Sequence, residues 1–356
     1  MPIPTQAQIL DVLRRVQDPE LHRDLVSLGM VKDLAVQDGA VSFTLELTTP
    51  ACPLKAQIER DVRQALSQVP GVREVHIAWA ARVRSAPALD AAGLKEIKSV
   101  VAVGSGKGGV GKTTVSVNMA VALARDGARV GLMDADVYGP NVPLMLGVRQ
   151  LPPMSGEQLV PAEAHGIKVI SMGFLLKDDE PVIWRGPMLH GVVQKFLKEV
   201  TWGELDYLIV DLPPGTGDVQ LTLSQSIPLT GAVIVTTPQD VALMDVRRAI
   251  AMFRKVQVPI LGIVENMSTF VCPSCRTQTP IFRQGGGRAA AEQLRVPFLG
   301  AIPLVPSVCQ AGDSGRPIVA AEPESVPAQA LTAAARQLAG QVSIANSQGE
   351  PIFLGL

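Results

Sequence analysis

Two short stretches of this 356-residue chain have residue types and spacings that do chemistry. The first is GSGKGGVGKTT, residues 104–114, which satisfies G-x-x-x-x-G-K-[ST] through Gly106, Gly111, Lys112 and Thr113. Glycines lack Cβ, so successive backbone N–H groups can turn inward around phosphate oxygens. The helix expected to open near Lys112 adds the positive end of its dipole. Lys112 is expected to reach the β- and γ-phosphates, and Thr113 to ligate Mg²⁺ through its hydroxyl. The nucleotide-binding set is therefore Gly106, Lys107, Gly108, Gly109, Val110, Gly111, Lys112, Thr113 and Thr114. A ligand-free glycine turn is the bland alternative, and the full motif between a strand and a helix outweighs it.

The second stretch is FVCPSCRTQ, residues 270–278, where Cys272 and Cys275 form a C-x-x-C pair. Such a pair is half of a tetrahedral site, because zinc and iron–sulfur clusters both usually take four protein ligands. The chain holds no second such pair. Neither Cys309 nor the histidines (His22, His76, His165, His190) stand at zinc-like spacing from it. Cys309, in PLVPSVCQAGD, reads as core or loop packing. Thioredoxin-like redox use needs a helix opening after the motif, and RTQTPIF is a poor helix start.

Composition limits what these residues can serve. A chain of this length suggests two domains, one of them large. With 47% hydrophobic and 18% charged residues it has ample material for a core. The net charge of −1 gives no global basic field for nucleic acid or an acidic membrane. The N-terminus carries no apolar secretion signal, and no run nears the roughly 18 apolar residues of a membrane span. Four scattered cysteines make no disulfide framework, so a reduced, cytoplasmic protein is expected.

The elements that must position the motifs fall into two parts. Residues 1–85 read as a small α+β domain: a helix in TQAQILDVLRRVQ, two strands joined at Asp38-Gly39, a second helix in PLKAQIERDVRQALSQV and a last strand in REVHIAWAARV. Residues 86–97, rich in Ala, Pro and Gly, read as a linker. Over 98–342, the apolar runs SVVAVGS, RVGLMDA, IKVISMG, YLIVDL, GAVIVTT and ILGIVEN alternate with helical segments near 112–126, 188–200, 217–226, 240–256 and 285–295. This pattern predicts an α/β fold, a mostly parallel sheet covered by helices. Residues 343–356 read as a loosely held tail.

Lys107, directly after the first glycine of the loop, makes this stretch resemble the deviant Walker A P-loop ATPases, such as the MinD and ParA ATPases and the nitrogenase iron protein. The resemblance implies a homodimer in which Lys107 reaches the partner subunit's nucleotide. It implies that Asp136 of LMDADVYGP positions or activates the attacking water, with Asp134 supporting the loop and metal. YLIVDLPPGTGD resembles a Walker B segment, which assigns Mg²⁺ to Asp211 through water, and its PPGTGD continuation a γ-phosphate-sensing switch. Asn266 matches the asparagine that reads adenine, and no N-K-x-D follows the late strand, so ATP is expected over GTP.

The order of GSGKGGVGKTT, DADVYGPNVP, WRGPMLHG, IVDLPPGTGDVQLTL, ENMSTFVCPSC and GDSGRPIV closely resembles the Mrp/ApbC-type iron–sulfur cluster carrier ATPases over roughly 98–340. DPELHRDLVSLGMV and LTTPACPLKAQIE look like the small iron–sulfur assembly-factor domain that such bacterial carriers often bear. There Cys52 reads either as a functional thiol or as a small buried hydrophobe. If Lys107 implies a homodimer, two-fold symmetry joins Cys272 and Cys275 to their copies, giving four thiolates for one shared [4Fe–4S] cluster. The implied partners are a cluster assembly scaffold as donor and apo iron–sulfur proteins as acceptors, with no nucleic acid and no membrane. The rival expectations are a structural zinc at the same cysteines, or a MinD/ParA-like regulatory ATPase dimer.

Overall fold

The computed structural model describes residues 4–86, 89, 92, 94–156, 158–175 and 186–348. The chain divides into two compact units, Met1–Arg84 and Ser85–Leu356. In the small unit, α1 (Gln6–Leu13) opens on a capping box in which Thr5 and Gln8 satisfy each other's backbone N–H groups. Strands β1 (Val31–Gln37) and β2 (Ala40–Leu47) pair antiparallel across Asp38 and Gly39, whose φ values of 48° and 85° suit a tight hairpin turn. Helix α2 (Lys55–Ser67) then carries the chain to β3 (Glu74–Ala81), which returns parallel to β2. Alternate β2 residues Val41, Phe43, Leu45 and Leu47 bury against Ile9, Leu13, Ile58, Val62 and Leu66 of the two helices.

The large unit begins with β4 (Val100–Ser105), α3 (Lys112–Arg125), β5 (Val130–Asp134), α4 (Val142–Leu146), β6 (Ala162–Ala164) and β7 (Ile167–Ser171). It continues through α5 (Gly186–Lys198), β8 (Tyr207–Asp211), α6 (Asp218–Ser226), β9 (Gly231–Thr236), α7 (Asp240–Lys255) and β10 (Ile260–Glu265). A two-residue ladder, β11 (Phe270–Val271) with β12 (Gln278–Thr279), precedes α8 (Gly286–Leu294), β13 (Phe298–Ala301), α9 (Pro306–Asp313) and α10 (Val326–Gln348). Eight strands form one sheet in the order β13-β10-β9-β4-β8-β5-β7-β6. Every pair is parallel except β6 with β7. Strands β4, β5, β8 and β9 are buried at every residue, which explains their continuous apolar runs. A parallel sheet puts the carboxyl ends of β4, β5, β8 and β10 along one edge, where ligands bind in such folds.

The expected fold class is present, and two strands lay below the reach of pattern. β6 is three residues, Ala-Glu-Ala, and β13 four, interrupted by Gly300. The stretch read as a linker differs more. Ala86, Leu89, Leu94 and Ile97 are buried in the core of the large unit. Lys98 N–H donates to the Leu205 carbonyl at 2.9 Å and Leu205 N–H to the Glu96 carbonyl at 2.8 Å. Isolated apolar side chains without a period produce that burial, so composition alone reads as loose. The tail also differs: α10 runs through Gln348, Val342 and Ser343 are buried, and Asn346 Nδ2 donates to Ser99 Oγ at 2.9 Å. Residues 349–356, and Trp184 and Arg185 of the WRGPMLHG stretch, lie outside the described residues. Among the described residues no helix is long and apolar enough to cross a membrane.

The packing of Leu89 makes a direct prediction. Leu89→Ala should destabilise the large unit by about 2–5 kcal/mol, as for other fully buried leucines. Chemical denaturation of the full chain reads this, and a change near zero would mean that the segment is a linker after all.

Candidate functional site

The phosphate-loop glycines are held where larger residues do not fit. Gly109 and Gly111 have φ of 77° and 79°, in the left-handed region that favours glycine. A Cβ on Gly111 would meet Asn266 Nδ2 at 2.2 Å, and one on Gly106 would meet the Asp245 backbone at 2.5 Å. The loop is thus wedged between the end of β10 and helix α7. Cβ atoms on Gly108 and Gly109 would meet nothing within 4 Å, so this part of the loop faces open space. Gly111 caps α3, whose first residue is Lys112.

Lys112 is 6% exposed, and its ammonium donates to Asp211 Oδ2 at 2.6 Å and lies 3.5 Å from Asp136 Oδ2. Thr113 Oγ1 donates to the same Asp211 oxygen at 2.7 Å, and Ser116 Oγ to Asp211 Oδ1 at 2.6 Å. One strand-end carboxylate thus organises the first two turns of α3. Asp134 is equally buried. Its oxygens accept from the N–H groups of Asp136 and Val142 and from the Ser171 hydroxyl, the last at 2.8 Å. Burial pushes the Asp134 carboxyl up to about 7, and repulsion from Asp211 adds to this. Burial also raises Asp136, while the Lys112 charge opposes the rise. The residues expected to meet do meet here: Lys112, Thr113, Asp134, Asp136 and Asp211. Ser116 and Ser171 had no motif to announce them, because each is recognisable only from the carboxylate it faces.

These groups open onto a cleft of about 480 Å³ lined by Lys107, the glycine loop, Thr114, Asp136 and Asn266. Asn266 Nδ2 donates to the Val110 carbonyl at 2.9 Å, tying the end of β10 to the phosphate loop. The far wall is Pro303–Val305 and α9, with Val308, Cys309 and Asp313. Cys309 is therefore exposed on a cleft wall rather than packed in a core, and the adjacent Asp313 charge raises its thiol pKa. The available signal was topological. Any segment that follows a parallel strand leaves the sheet at the same edge as the phosphate loop.

The cysteine pair sits on a hairpin beyond β10. β11 and β12 flank it, Cys272 N–H donates to the Thr277 carbonyl at 3.0 Å, and Arg276, at φ 59°, makes the turn. Cys272 is half-buried and Cys275 exposed. The Thr277 hydroxyl, 3.2 Å from Cys275 Sγ, holds that thiol down to about 7, with help from the Thr277 backbone and from Cys272. The hairpin is laced to the cleft wall. Leu304 N–H donates to Thr269 at 2.8 Å and Val271 N–H to Leu304 at 3.1 Å, while Asn266, only six residues before Cys272, lines the cleft itself. Among the described residues no three His, Cys, Asp or Glu side chains gather into a metal-holding group.

A helix-covered parallel sheet with a complete phosphate loop defines a P-loop NTPase. Residues 96–339 match the NUBPL iron-transfer P-loop NTPase family and residues 6–77 the iron–sulfur cluster assembly protein family. The chain belongs to the iron–sulfur cluster carrier family of P-loop NTPases. It is 58% identical to the iron–sulfur cluster carrier protein of Deinococcus radiodurans over 94% of this chain and 95% of that one. It is 54% identical to the carrier of Synechocystis, over 96% and 99%, and 41% identical to that of Escherichia coli K12, over 95% and 91%. Among solved structures, it resembles a nucleotide-binding protein from Archaeoglobus fulgidus in complex with ADP. That match has a TM-score of 0.58 at 40% identity, over 65% of this chain and 91% of the other. The cell division ATPase MinD of Pyrococcus furiosus matches with a TM-score of 0.52 at 25% identity, over 67% and 97%.

In the small unit, Cys52 is half-buried against the local core, and burial pushes its thiol up to about 11. This favours the small-hydrophobe reading over a reactive thiolate. Its neighbour Glu20 is raised from 4.5 to about 7, first by burial and then by the Asp18 charge. Glu20 is therefore protonated in the folded chain and ionised in the unfolded one between those values. Its contribution to stability falls as pH rises through that window. Glu20→Gln should raise the thermal unfolding midpoint at pH 8 and change it little at pH 5. An equal effect at both values would show that Glu20 titrates normally.

Proposed function

We propose that this chain is a homodimeric, Mg²⁺-dependent, cytoplasmic ATPase that carries a [4Fe–4S] cluster between its two subunits. A cluster assembly scaffold supplies the cluster and apo iron–sulfur proteins receive it. The observation that carries this reading is the half-complete thiol set: two cysteines on an outlying hairpin, with no third ligand gathered beside them among the described residues. A two-fold axis doubles the pair to four thiolates. The relatives named as cluster carriers support the choice of cargo.

The cleft residues divide the work on ATP. The glycine-loop N–H groups and the start of α3 hold the phosphates, and Asn266 reads adenine from the end of β10. Lys112 exchanges Asp211 for the β- and γ-phosphate oxygens, while Lys107, half-buried at the cleft edge, reaches the partner's nucleotide. Asp136, a cleft-wall carboxylate with a raised pKa, orients the attacking water and accepts its proton, leaving ADP and phosphate. The Thr113 hydroxyl and Asp211 carboxylate, 2.7 Å apart, are an all-oxygen donor set of the kind a hard divalent cation takes. Mg²⁺ held there neutralises charge on the phosphate oxygens. The laced segment from Asn266 to Cys272 gives nucleotide occupancy a short covalent route to the thiols, so the dimer geometry that grips the cluster follows the nucleotide.

Two experiments test this. Anaerobic reconstitution should give about four iron and four sulfide per dimer. Cys272→Ser should lose both while still binding ATP, and stoichiometric zinc with no cluster would make the site a structural clamp. Lys107→Ala should lower ATP turnover by about 10³-fold, as for other charge-stabilising cations supplied in trans, with little change in ATP affinity. Undiminished turnover would remove Lys107 from the reaction.

A further inference from the structure

Charge is unevenly spread along this chain. Residues 240–295 hold eight Lys and Arg against four Asp and Glu, a net +4 within a chain of net −1, so the remainder carries −5. One of the four acids, Glu265, is fully buried and accepts from the Gly285 and Gly287 N–H groups. All eight cations are exposed. Arg248 pairs with Asp245 and Arg283 with Asp240, and the other six form no ion pair among the described residues.

The cations share a face. Arg247 donates to Gln293 Oε1 at 2.5 Å and Arg254 to the Leu294 carbonyl at 2.8 Å, so both reach from α7 onto the end of α8, beside Arg295. The exposed stripe of α7 starts apolar, with Val241 and Met244 at 67% and 59% exposure, and turns basic through Arg247, Arg254 and Lys255. The Asp240–Arg283 pair fastens its start to the connection that follows the cysteine hairpin, in which Arg276 follows Cys275. The stripe therefore runs down 16 residues of helix from the end tied to the chain just after the hairpin, about 24 Å.

We infer that this α7–α8 face docks an acidic protein that gives or receives the cluster, its carboxylates meeting Arg247, Arg254, Lys255 and Arg295 while its own ligands approach Cys272 and Cys275. The inference rests on the carrier reading. A strip of that length fits one side of a standard protein interface of about 800 Å². Unpaired, exposed cations raise the encounter rate with an oppositely charged surface. A nucleic acid fits less well, because the −5 remainder repels a long phosphate chain. The exposed large apolar side chains beside the cations, Val241, Met244 and Ile281, also include no aromatic on which a base would stack.

The test uses the full chain and a fluorescently labelled, acidic apo-ferredoxin as probe, with binding followed by anisotropy across a salt series and cluster content measured separately. Wild type should bind at low salt and weaken steeply as salt rises. R247E/R254E should bind about tenfold more weakly at low salt and lose most of the salt dependence, with ATP turnover and cluster content unchanged. R247K/R254K, which keeps the charge, should bind like wild type. Absent wild-type binding at low salt, or equal binding and salt slope in R247E/R254E, would overturn the inference. So would capture of duplex DNA or anionic vesicles by wild type but not by R247E/R254E, with ferredoxin binding the same in both. A wild type that binds the probe but never holds a cluster would overturn the carrier reading instead, since binding is read independently of cargo.

Discussion

Asp211 is the group on which the large unit's chemistry depends. It ends the central strand β8, is fully buried, and accepts from Lys112, Thr113 and Ser116, which together span the first turns of α3. A buried carboxylate without such partners would be strongly disfavoured, and a buried ammonium likewise, so each fixes the other's place. The pair sets the register of the glycine loop between β4 and α3. The loop in turn is pinned by contacts at Gly106 and Gly111 that leave no room for a side chain. Phosphate recognition is thereby built into the sheet edge rather than left to a free loop.

The same edge explains why two chemistries adjoin. Parallel strands discharge their connections at one end, so the segments after β10 and β13 both emerge beside the phosphate loop. One becomes the cysteine hairpin and the other the cleft wall, and backbone hydrogen bonds through Leu304 join them. The positive α7–α8 face is tied through Asp240 and Arg283 to the connection that follows that hairpin.

Much of this was legible in the sequence wherever chemistry needs a fixed spacing. The loop from Gly106 to Thr114, the strand-end Asp134 and Asp211, and the C-x-x-C pair all stand in the structure where their spacing puts them. The buried parallel strands were legible because burial on both faces leaves no polar alternation to confuse the pattern. What failed were segments whose burial has no period. Leu89, Leu94 and Ile97 enter the core singly from an Ala- and Pro-rich stretch, and α10 continues into a polar sequence because Asn346 finds Ser99 across 247 positions. Cys309 misled for the same reason, since its wall exists only once β13 has joined the sheet.

The sequence by itself determined the fold class, the phosphate-binding loop and the C-x-x-C thiol pair, because local geometry sets each of these: glycine φ angles, strand burial and a two-residue thiol spacing. Only the tertiary structure decided which carboxylate meets Lys112, that Ser116 and Ser171 complete the buried network, and that the cleft wall and cysteine hairpin are hydrogen-bonded through Leu304. Those contacts join residues from about thirty to about a hundred positions apart. Their partners are selected by the order of strands in the sheet, which no local spacing encodes.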